Sequence, residues 1–132
     1  MPNPDRDNCI KLSFPVNAAY VSSARLTASS VANRMNFDID EIEDIKTAVS
    51  EACTYIIKTL SSEAKSNFEI SFFLSDESIE INIATEGTLS PAPDDMSLMM
   101  IKAMVDDFKI SDDKAAIVVN MVKKHKASIF EL

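Results

Sequence analysis

The sequence predicts an α+β domain: a two-layer sandwich in which three helices cover a mainly antiparallel sheet. Two observations lead to this fold class. The predicted elements follow the order β-α-α-β-β-α-β-β, in which neighbouring strands are joined as hairpins. The second predicted helix also carries an unbroken apolar stripe, which must be buried against another layer.

The segment 38–61 is predicted to be one amphipathic helix, around which the rest of the chain is organised. Its apolar residues recur at steps of three and four, at Ile42, Ile45, Val49, Ala52, Ile56 and Leu60. Asp38 and Glu41 have the spacing of a capping box at its start. Glu51 lies roughly 140° around the helix from the stripe, and Tyr55 follows on the same face one turn later. That face is therefore the candidate functional face.

The remaining elements are predicted from the helical period of 3.6 and the strand period of 2. Alternation predicts strands over 9–14, 68–74, 78–85, 108–110 and 116–122, with turns at 76–77 and 112–113. Helical spacing predicts further helices over 17–35 and 96–105, the second of them buried, after a loop over 86–95. Residues 1–7 are predicted to be a flexible N-terminus, and 8–132 a single domain.

Composition narrows the classes of function. A net charge of −8 disfavours a nucleic-acid partner, because no basic surface is available to displace counterions. The absence of a secretory segment and of a long apolar run predicts a cytoplasmic protein with no membrane partner. Cys9 and Cys53 lie in apolar patterns without metal-type spacing, which predicts buried free thiols and no metal site. The only glycine is Gly87, which weighs against a loop that wraps phosphate groups.

Two segments carry a resemblance to a known family. They are 24–54, ARLTASSVANRMNFDIDEIEDIKTAVSEACT, and 99–110, MMIKAMVDDFKI. They are similar to the first two helices, and to the last helix and following strand, of the RsbW-type anti-sigma factor serine/threonine kinases. These kinases belong to the GHKL superfamily of histidine-kinase-like ATPases, together with gyrase. The resemblance implies a GHKL fold and a bacterial regulator of transcription in stress responses. It also implies a sigma factor and an anti-sigma antagonist as partners, and a homodimer.

The resemblance also implies a nucleotide site on the central helix. In the family, a glutamate there acts as general base, and an asparagine four residues later holds Mg²⁺ between phosphate oxygens. Glu51 stands at the glutamate position, and Tyr55 stands at the asparagine position. A phenol is a poor ligand for a hard cation. Tyr55 is therefore predicted to be a plug over the former pocket, and Glu51 is either a catalytic base or a solvated carboxylate left after the site decayed.

Two further nucleotide-binding positions also depart from the family. Thr85 replaces an aspartate that accepts a hydrogen bond from adenine two residues before Gly87, and offers a weaker bond. Asp95 and Ser97 stand where the family has a GxG-type turn that meets the phosphates, and Asp95 would place a negative charge beside them. The three departures together predict lost or weakened ATP binding. No cofactor is then expected, with ATP and Mg²⁺ needed only if kinase activity persists.

Three other features have competing interpretations. Arg25 stands where the family has an arginine that contacts the sigma factor, and it suits an interface hot spot as well as an ordinary surface position. The methionines of 96–105 predict a core helix, with an adaptable binding surface as the alternative. His125 is predicted to have no partner residues and neither a metal nor a catalytic role.

Three functions of different classes follow. The first is a regulator that sequesters a partner through the surface around Arg25 without kinase activity. The second is an active serine kinase in which Glu51 is the base and Thr85 contacts adenine. The third is a sensor that uses the altered pocket, including Tyr55, for another small molecule.

Overall fold

The computed structural model describes residues 8–60, 66–90, 96–113 and 115–125. The strands are β1 (Cys9–Pro15), β2 (Asn67–Leu74), β3 (Ser78–Glu86), β4 (Asp107–Asp113) and β5 (Ala116–Lys124). The helices are α1 (Val21–Asn33), α2 (Ile39–Thr59) and α3 (Met96–Met104). The strands form one antiparallel sheet in the order β1-β2-β3-β5-β4, with the three helices packed on it. The predicted fold class is confirmed.

Helix α2 begins where the capping-box spacing predicts. The Asp38 carboxylate accepts a hydrogen bond from the Glu41 backbone N–H at 2.7 Å, and Glu41 accepts one from the Asp38 N–H at 2.9 Å. These bonds satisfy two backbone donors that a helix start otherwise leaves without partners. The predicted stripe is buried, and Ile45, Val49 and Ile56 are inaccessible to solvent. Helix α2 therefore packs as the middle helix, with α1 on one side and α3 on the other.

The sheet buries one face, as the alternation in β3 predicts. Ile79, Ile81 and Ile83 point into the core, while Glu80 and Asn82 lie on the opposite face. Burying an isoleucine side chain of this kind stabilises a fold by roughly 1.5–3 kcal/mol. Slipping the strand by one residue would move all three out of the core, so the register is strongly determined.

The small residues of α1 allow it to approach α2 closely. Its buried positions are Ala24, Ala28, Val31 and Ala32. The predicted helix over 17–35 is divided, because Ala18–Tyr20 forms a 3₁₀ turn before α1 begins. The Asn17 side chain caps that turn by accepting a hydrogen bond from the Ala19 N–H at 2.9 Å. At the other end the chain turns at Asn36, whose φ of 61° is tolerated by asparagine better than by most residues.

The last hairpin corrects the predicted strand over 108–110. Strand β4 continues through Asp112 and Asp113, where the sequence predicts a turn. The chain reverses after these two residues, and Ala115 has a φ of 60°. The physical reason is that β4 is an edge strand, where charged side chains are tolerated and also discourage pairing with other molecules. Strand β5 likewise continues to Lys124, two residues beyond its predicted end.

The prediction for α3 as a buried helix is wrong. Ser97 and Ile101 are buried, whereas Met96, Met99 and Met100 are exposed. The helix lies at the side of the layer, where α2 covers only one of its flanks, so an apolar sequence does not ensure burial on every side. Its methionine surface therefore needs a separate explanation.

The prediction that His125 has no partner is also wrong. Because β5 is longer than predicted, it carries His125 to the turn before α2, where the ring stacks on Phe37 with centroids 5.0 Å apart. The ring nitrogen Nε2 lies 2.7 Å from the Asn36 carbonyl oxygen, and the backbone N–H donates to the Glu77 carbonyl oxygen at 2.7 Å. His125 thus fastens the end of the sheet to two turns.

The two thiols differ in their surroundings. Cys53 on α2 is buried as predicted, whereas Cys9 on the edge strand β1 is only half-buried. Both are free. The predicted flexible segment 1–7 lies outside the described residues, and none of the helices within the described ranges is long and apolar enough to cross a membrane.

Candidate functional site

Helix α2 places Glu51 and Tyr55 one turn apart, as their spacing predicts. Glu51 is half-buried, and the Tyr55 side chain is only 6% exposed. The Tyr55 ring is therefore part of the packed interior, although the apolar stripe does not include it. The Tyr55 carbonyl oxygen also accepts a hydrogen bond from the Thr59 hydroxyl at 2.7 Å, so the last turns of α2 are held firmly. The metal-ligand position of the resembling family thus holds a buried aromatic ring.

Thr85 lies near the end of β3 with its side chain buried. Its hydroxyl donates a hydrogen bond to the Asn67 carbonyl oxygen at 3.0 Å and lies 3.3 Å from the Ser66 hydroxyl oxygen. The single hydroxyl proton is thereby used within the sheet, between β3 and the start of β2. Toward a ligand this oxygen can then act only as an acceptor, and it lacks the charge of the family's carboxylate.

Gly87 follows at a φ of 131°, a value that excludes residues with a Cβ atom. Its N–H donates to the Ala115 carbonyl oxygen at 2.7 Å, which ties the end of β3 to the turn between β4 and β5. The glycine is therefore required by the backbone at this position, whether or not a ligand approaches it.

The segment after Gly87 is fixed to two other elements. The Ser90 N–H donates to the Thr59 carbonyl oxygen at 2.6 Å, at the end of α2. The Leu89 N–H donates to the Asp112 carboxylate of β4 at 3.1 Å, and Leu89 also forms a β-bridge with Leu60. The first part of the predicted loop over 86–95 thus connects the end of α2 to the sheet edge.

Ser97 is buried on α3, and Asp95 lies outside the described residues. Lys123 joins the start of α2 to the end of α3, because its ammonium group contacts both Asp44 and the Met104 carbonyl oxygen. Ser97 is at the opposite end of α3. Glu51, Tyr55, Thr85 and Ser97 all lie on elements of the helix-covered side of the sheet or on its buried face.

Arg25 is exposed on α1, on the far side of α2 from α3. Its neighbour Leu26 is 67% exposed, and Tyr20 at the start of the helix is exposed as well. Within the described ranges no carboxylate forms an ion pair with Arg25. The guanidinium is therefore available to an incoming group, and the same segment exposes two large apolar side chains.

The buried thiol of Cys53 offers no nucleophile. Burial raises the pKa of Cys53 from 9.0 to about 12, because the thiolate would be stripped of water. A protonated thiol is a weak nucleophile and a weak metal ligand. Within the described residues no group of three or more His, Cys, Asp and Glu side chains is arranged to hold a metal ion.

Sequence reasoning missed several contacts at this site. The hydroxyl contacts of Thr85 and the bond from Leu89 to Asp112 join residues 18 and 23 positions apart, which no local pattern reveals. A threonine in an alternating strand did carry one signal. Thr85 takes the inward-facing position that follows the isoleucines of β3, and a polar residue at such a position needs a buried partner.

Comparison with known proteins now defines the class. The sequence model for the histidine kinase-like ATPase domain matches residues 14–123, which include every strand and helix except the first residues of β1 and the last residue of β5. A solved structure of the RsbU and RsbW domains of a Mycobacterium tuberculosis protein contains a part with this fold, with a TM-score of 0.74 over 89% of this chain at 14% identity. This chain spans 32% of that longer one.

The sequence relatives are more specific. The serine-protein kinases RsbW of Bacillus cereus strain Q1, Bacillus thuringiensis subspecies konkukian and Bacillus anthracis are each 33% identical to this chain over 135 aligned positions. Each alignment covers 87% of this chain and 84% of the relative. The chain therefore belongs to the RsbW-type branch of the histidine kinase-like ATPase family, which confirms the resemblance.

Proposed function

We propose that this chain is a cytoplasmic anti-sigma-factor-like regulator that binds a sigma factor or an anti-sigma antagonist, with ATP binding lost or weakened. The observation that carries the proposal is the burial of Tyr55 at the position where the family holds its metal ligand. Family membership supports the regulatory role, and the altered nucleotide positions support the loss of ATP binding.

The side chains present do not suit a nucleotide with Mg²⁺. A tyrosine hydroxyl is a poor ligand for Mg²⁺, which prefers carboxylate, amide or phosphate oxygens. The buried ring also fills volume on the face where Glu51 would meet phosphate groups. Thr85 offers a neutral hydroxyl oxygen where the family has a charged carboxylate, so it would accept a weaker hydrogen bond from adenine. The two positions thus weaken metal binding and adenine recognition independently of each other.

The partner surface in this proposal is the exposed side of α1. Arg25 has no ion-pair partner among the described residues, and its planar guanidinium can pair with a carboxylate through two parallel hydrogen bonds. Leu26 and Tyr20 add exposed apolar area on the same segment. A charged anchor beside exposed apolar side chains is the composition of an interface hot spot. We propose that a homodimer also forms through the region of α1.

Thermal unfolding with and without ATP and Mg²⁺ tests the loss of nucleotide binding. A ligand at one hundred times its Kd stabilises the folded state by about 2.7 kcal/mol, so binding would be evident. We expect no shift at millimolar ATP and Mg²⁺. A Mg²⁺-dependent increase in melting temperature would contradict this part of the proposal. Cytidine triphosphate with Mg²⁺ controls for nonspecific effects of anions and metal.

Binding to a purified candidate sigma factor tests the partner surface. Arg25→Glu should weaken binding by at least tenfold, since it replaces attraction by repulsion at the centre of the contact. Arg34→Glu is the matched control, because Arg34 is also an exposed arginine and lies just past the end of α1. Equal affinities for the two variants would exclude the surface around Arg25.

One observation favours the kinase as a second candidate. Glu51 is only half-buried, so its carboxylate is accessible to a substrate hydroxyl at the family position for the general base. In that case the chain would transfer phosphate from ATP to a serine of a purified antagonist, and Glu51→Gln would abolish the transfer. Radiolabelled phosphate on the antagonist would establish this second function. A complete absence of label would leave the sequestering regulator.

A further inference from the structure

Helix α3 turns an apolar surface toward solvent. Met96, Met99, Met100 and Ala103 lie at steps of three and four on one side of the helix, and are called here the methionine stripe. Met96 and Met99 are each 69% exposed, and Met100 and Ala103 are exposed too. Ser97 and Ile101 are the buried residues of the helix, and Leu98 and Met104 also pack against the core. A helix that buries a serine and exposes three methionines reverses the usual arrangement of a surface helix.

The stripe is chemically suited to contact another helix. Methionine side chains are flexible and polarisable, so they adapt to partners of different shape. Positions separated by three, four and seven residues also form the ridge that packs into the groove of a second helix. Isolated exposed apolar residues are ordinary, whereas a contiguous group on one helix face marks an interaction site.

The charge of α3 specifies the partner further. Lys102 is the only charged residue in α3, although the whole chain carries a net charge of −8. Lys102 is exposed and lies one turn from Met99, at the edge of the stripe. Acidic residues along the edge of a partner helix would be attracted to the Lys102 ammonium group, whereas the net negative charge of the rest of the chain would repel them.

The size of the stripe disfavours a second copy of this chain as the occupant. From Met96 to Ala103 the helix rises by about 10 Å, and a helix is about 10 Å wide. Such an area is far below the roughly 800 Å² that each subunit contributes to a stable dimer. It matches two turns of one docked helix.

We propose that the methionine stripe is a docking surface for an amphipathic helix of a partner protein, with acidic residues along one edge of that helix. This goes beyond the proposed function, because the stripe lies on the opposite side of α2 from Arg25. A partner bound at α1 leaves the stripe open, so the protein can engage two protein segments at separate surfaces.

A pair of synthetic helical peptides tests the proposal. Both carry leucines at steps of three and four, and they differ only in having glutamates or lysines along the edge of the leucine face. Four of the seven methionines of the chain are in α3, so labelled methionine methyl groups report binding by NMR. The glutamate peptide should shift the signals of Met96, Met99 and Met100, and leave the buried Met121 unchanged. We expect a Kd of about 10–100 µM, as for a small transient contact.

Variants separate this surface from the rest of the chain. Met99→Glu should weaken binding of the glutamate peptide by about tenfold or more. Lys102→Glu should weaken binding of the glutamate peptide by about two- to fivefold and strengthen binding of the lysine peptide. Ile39→Glu is the matched control, because Ile39 is 79% exposed, comparable with the 69% of Met99, but belongs to α2. It should leave the affinity unchanged.

Three results would overturn the proposal. The first is no shift of the α3 methyl groups at millimolar peptide. The second is equal binding of the two peptides, which would reduce the stripe to a nonspecific apolar patch. The third is a dimer in sedimentation that Met99→Glu dissociates, which would identify a second copy as the occupant. Failure of the Arg25 experiment would affect none of these outcomes.

Discussion

Lys123→Met would remove one charge that joins three elements while keeping a side chain of similar length in place. The Lys123 ammonium group donates to the Met104 carbonyl oxygen at 2.8 Å and to the Asp44 carboxylate at 3.1 Å. Its side chain is only 12% exposed, so water contributes little on its side of the contact. The substitution would therefore release α2 and α3 from the end of β5.

The expected cost follows from these contacts. A hydrogen bond to a charged group contributes roughly 1.5–3 kcal/mol, and a cation at a helix C-terminus adds about 0.3–1 kcal/mol. The Asp44 side chain is 35% exposed, so solvent can replace part of its contact after the substitution. We expect the free energy of unfolding to fall by about 2 kcal/mol. For a domain of this size the melting temperature would fall by about 6–10 °C.

Urea unfolding followed by circular dichroism measures this change, with Lys124→Met as the control because the Lys124 side chain is exposed. Asp44→Asn and the double variant complete a mutant cycle, in which the pair should show a coupling of about 0.5–1 kcal/mol. A loss below about 0.5 kcal/mol for Lys123→Met, or equal losses for the two lysine variants, would refute the reasoning.

Three further substitutions give distinct outcomes. Asp38→Ala should lower the free energy of unfolding by about 1–2 kcal/mol in urea, because it removes one bond of the capping box, and Asp38→Asn should recover most of that loss. Burial raises the pKa of Cys53 from 9.0 to about 12, so its contribution to stability should be full below pH 9 and fall as the pH rises toward 12. Cys53→Ala has no thiol to ionise and should lack this part of the fall. Equal slopes of unfolding free energy against pH for the two proteins would contradict the prediction. Tyr55→Asn should lower the free energy of unfolding in urea by about 2–4 kcal/mol, because it opens a cavity, and a loss under about 1 kcal/mol would show that the ring is not packed. The same variant should increase any Mg²⁺-dependent rise of the melting temperature with ATP.

The sequence predicts the elements whose periodicity is enforced by burial. Helix α2 and strand β3 each have a single face that must be apolar, so the spacing of Ile45 and Val49, or of Ile79 and Ile81, determines both type and orientation. The capping box at Asp38 predicts the start of α2 for the same reason, since a helix start needs acceptors for its free N–H groups.

Local sequence patterns do not predict burial, strand length or side-chain contacts that depend on residues distant in the chain. An apolar helix such as α3 has no polar side by which the sequence could show which flank α2 leaves uncovered. Asp112 and Asp113 suggest a turn, but a position at the sheet edge lets β4 continue through them. His125 finds Phe37 and Asn36 only because β5 extends far enough to reach them.

The candidate site was predictable to a similar extent. The positions of Glu51 and Tyr55 on one face of α2 follow from helical geometry, and their family roles come from the resemblance. The use of the Thr85 hydroxyl by Asn67, and of Gly87 by the backbone of Ala115, depends on contacts between strands. These contacts show that both residues also have a structural part in the sheet, which the sequence did not predict.

The position of β5 bears on how the polypeptide emerges from the ribosome. Among the strands of the described residues it is the last to be synthesised, yet it lies between β3 and β4 in the sheet. Until residue 116 has left the exit tunnel, β3 has one bare edge and β4 has no neighbour to pair with. Nascent chains arrested before that residue should therefore be readily cleaved by protease, and resistance should arise abruptly once β5 is complete.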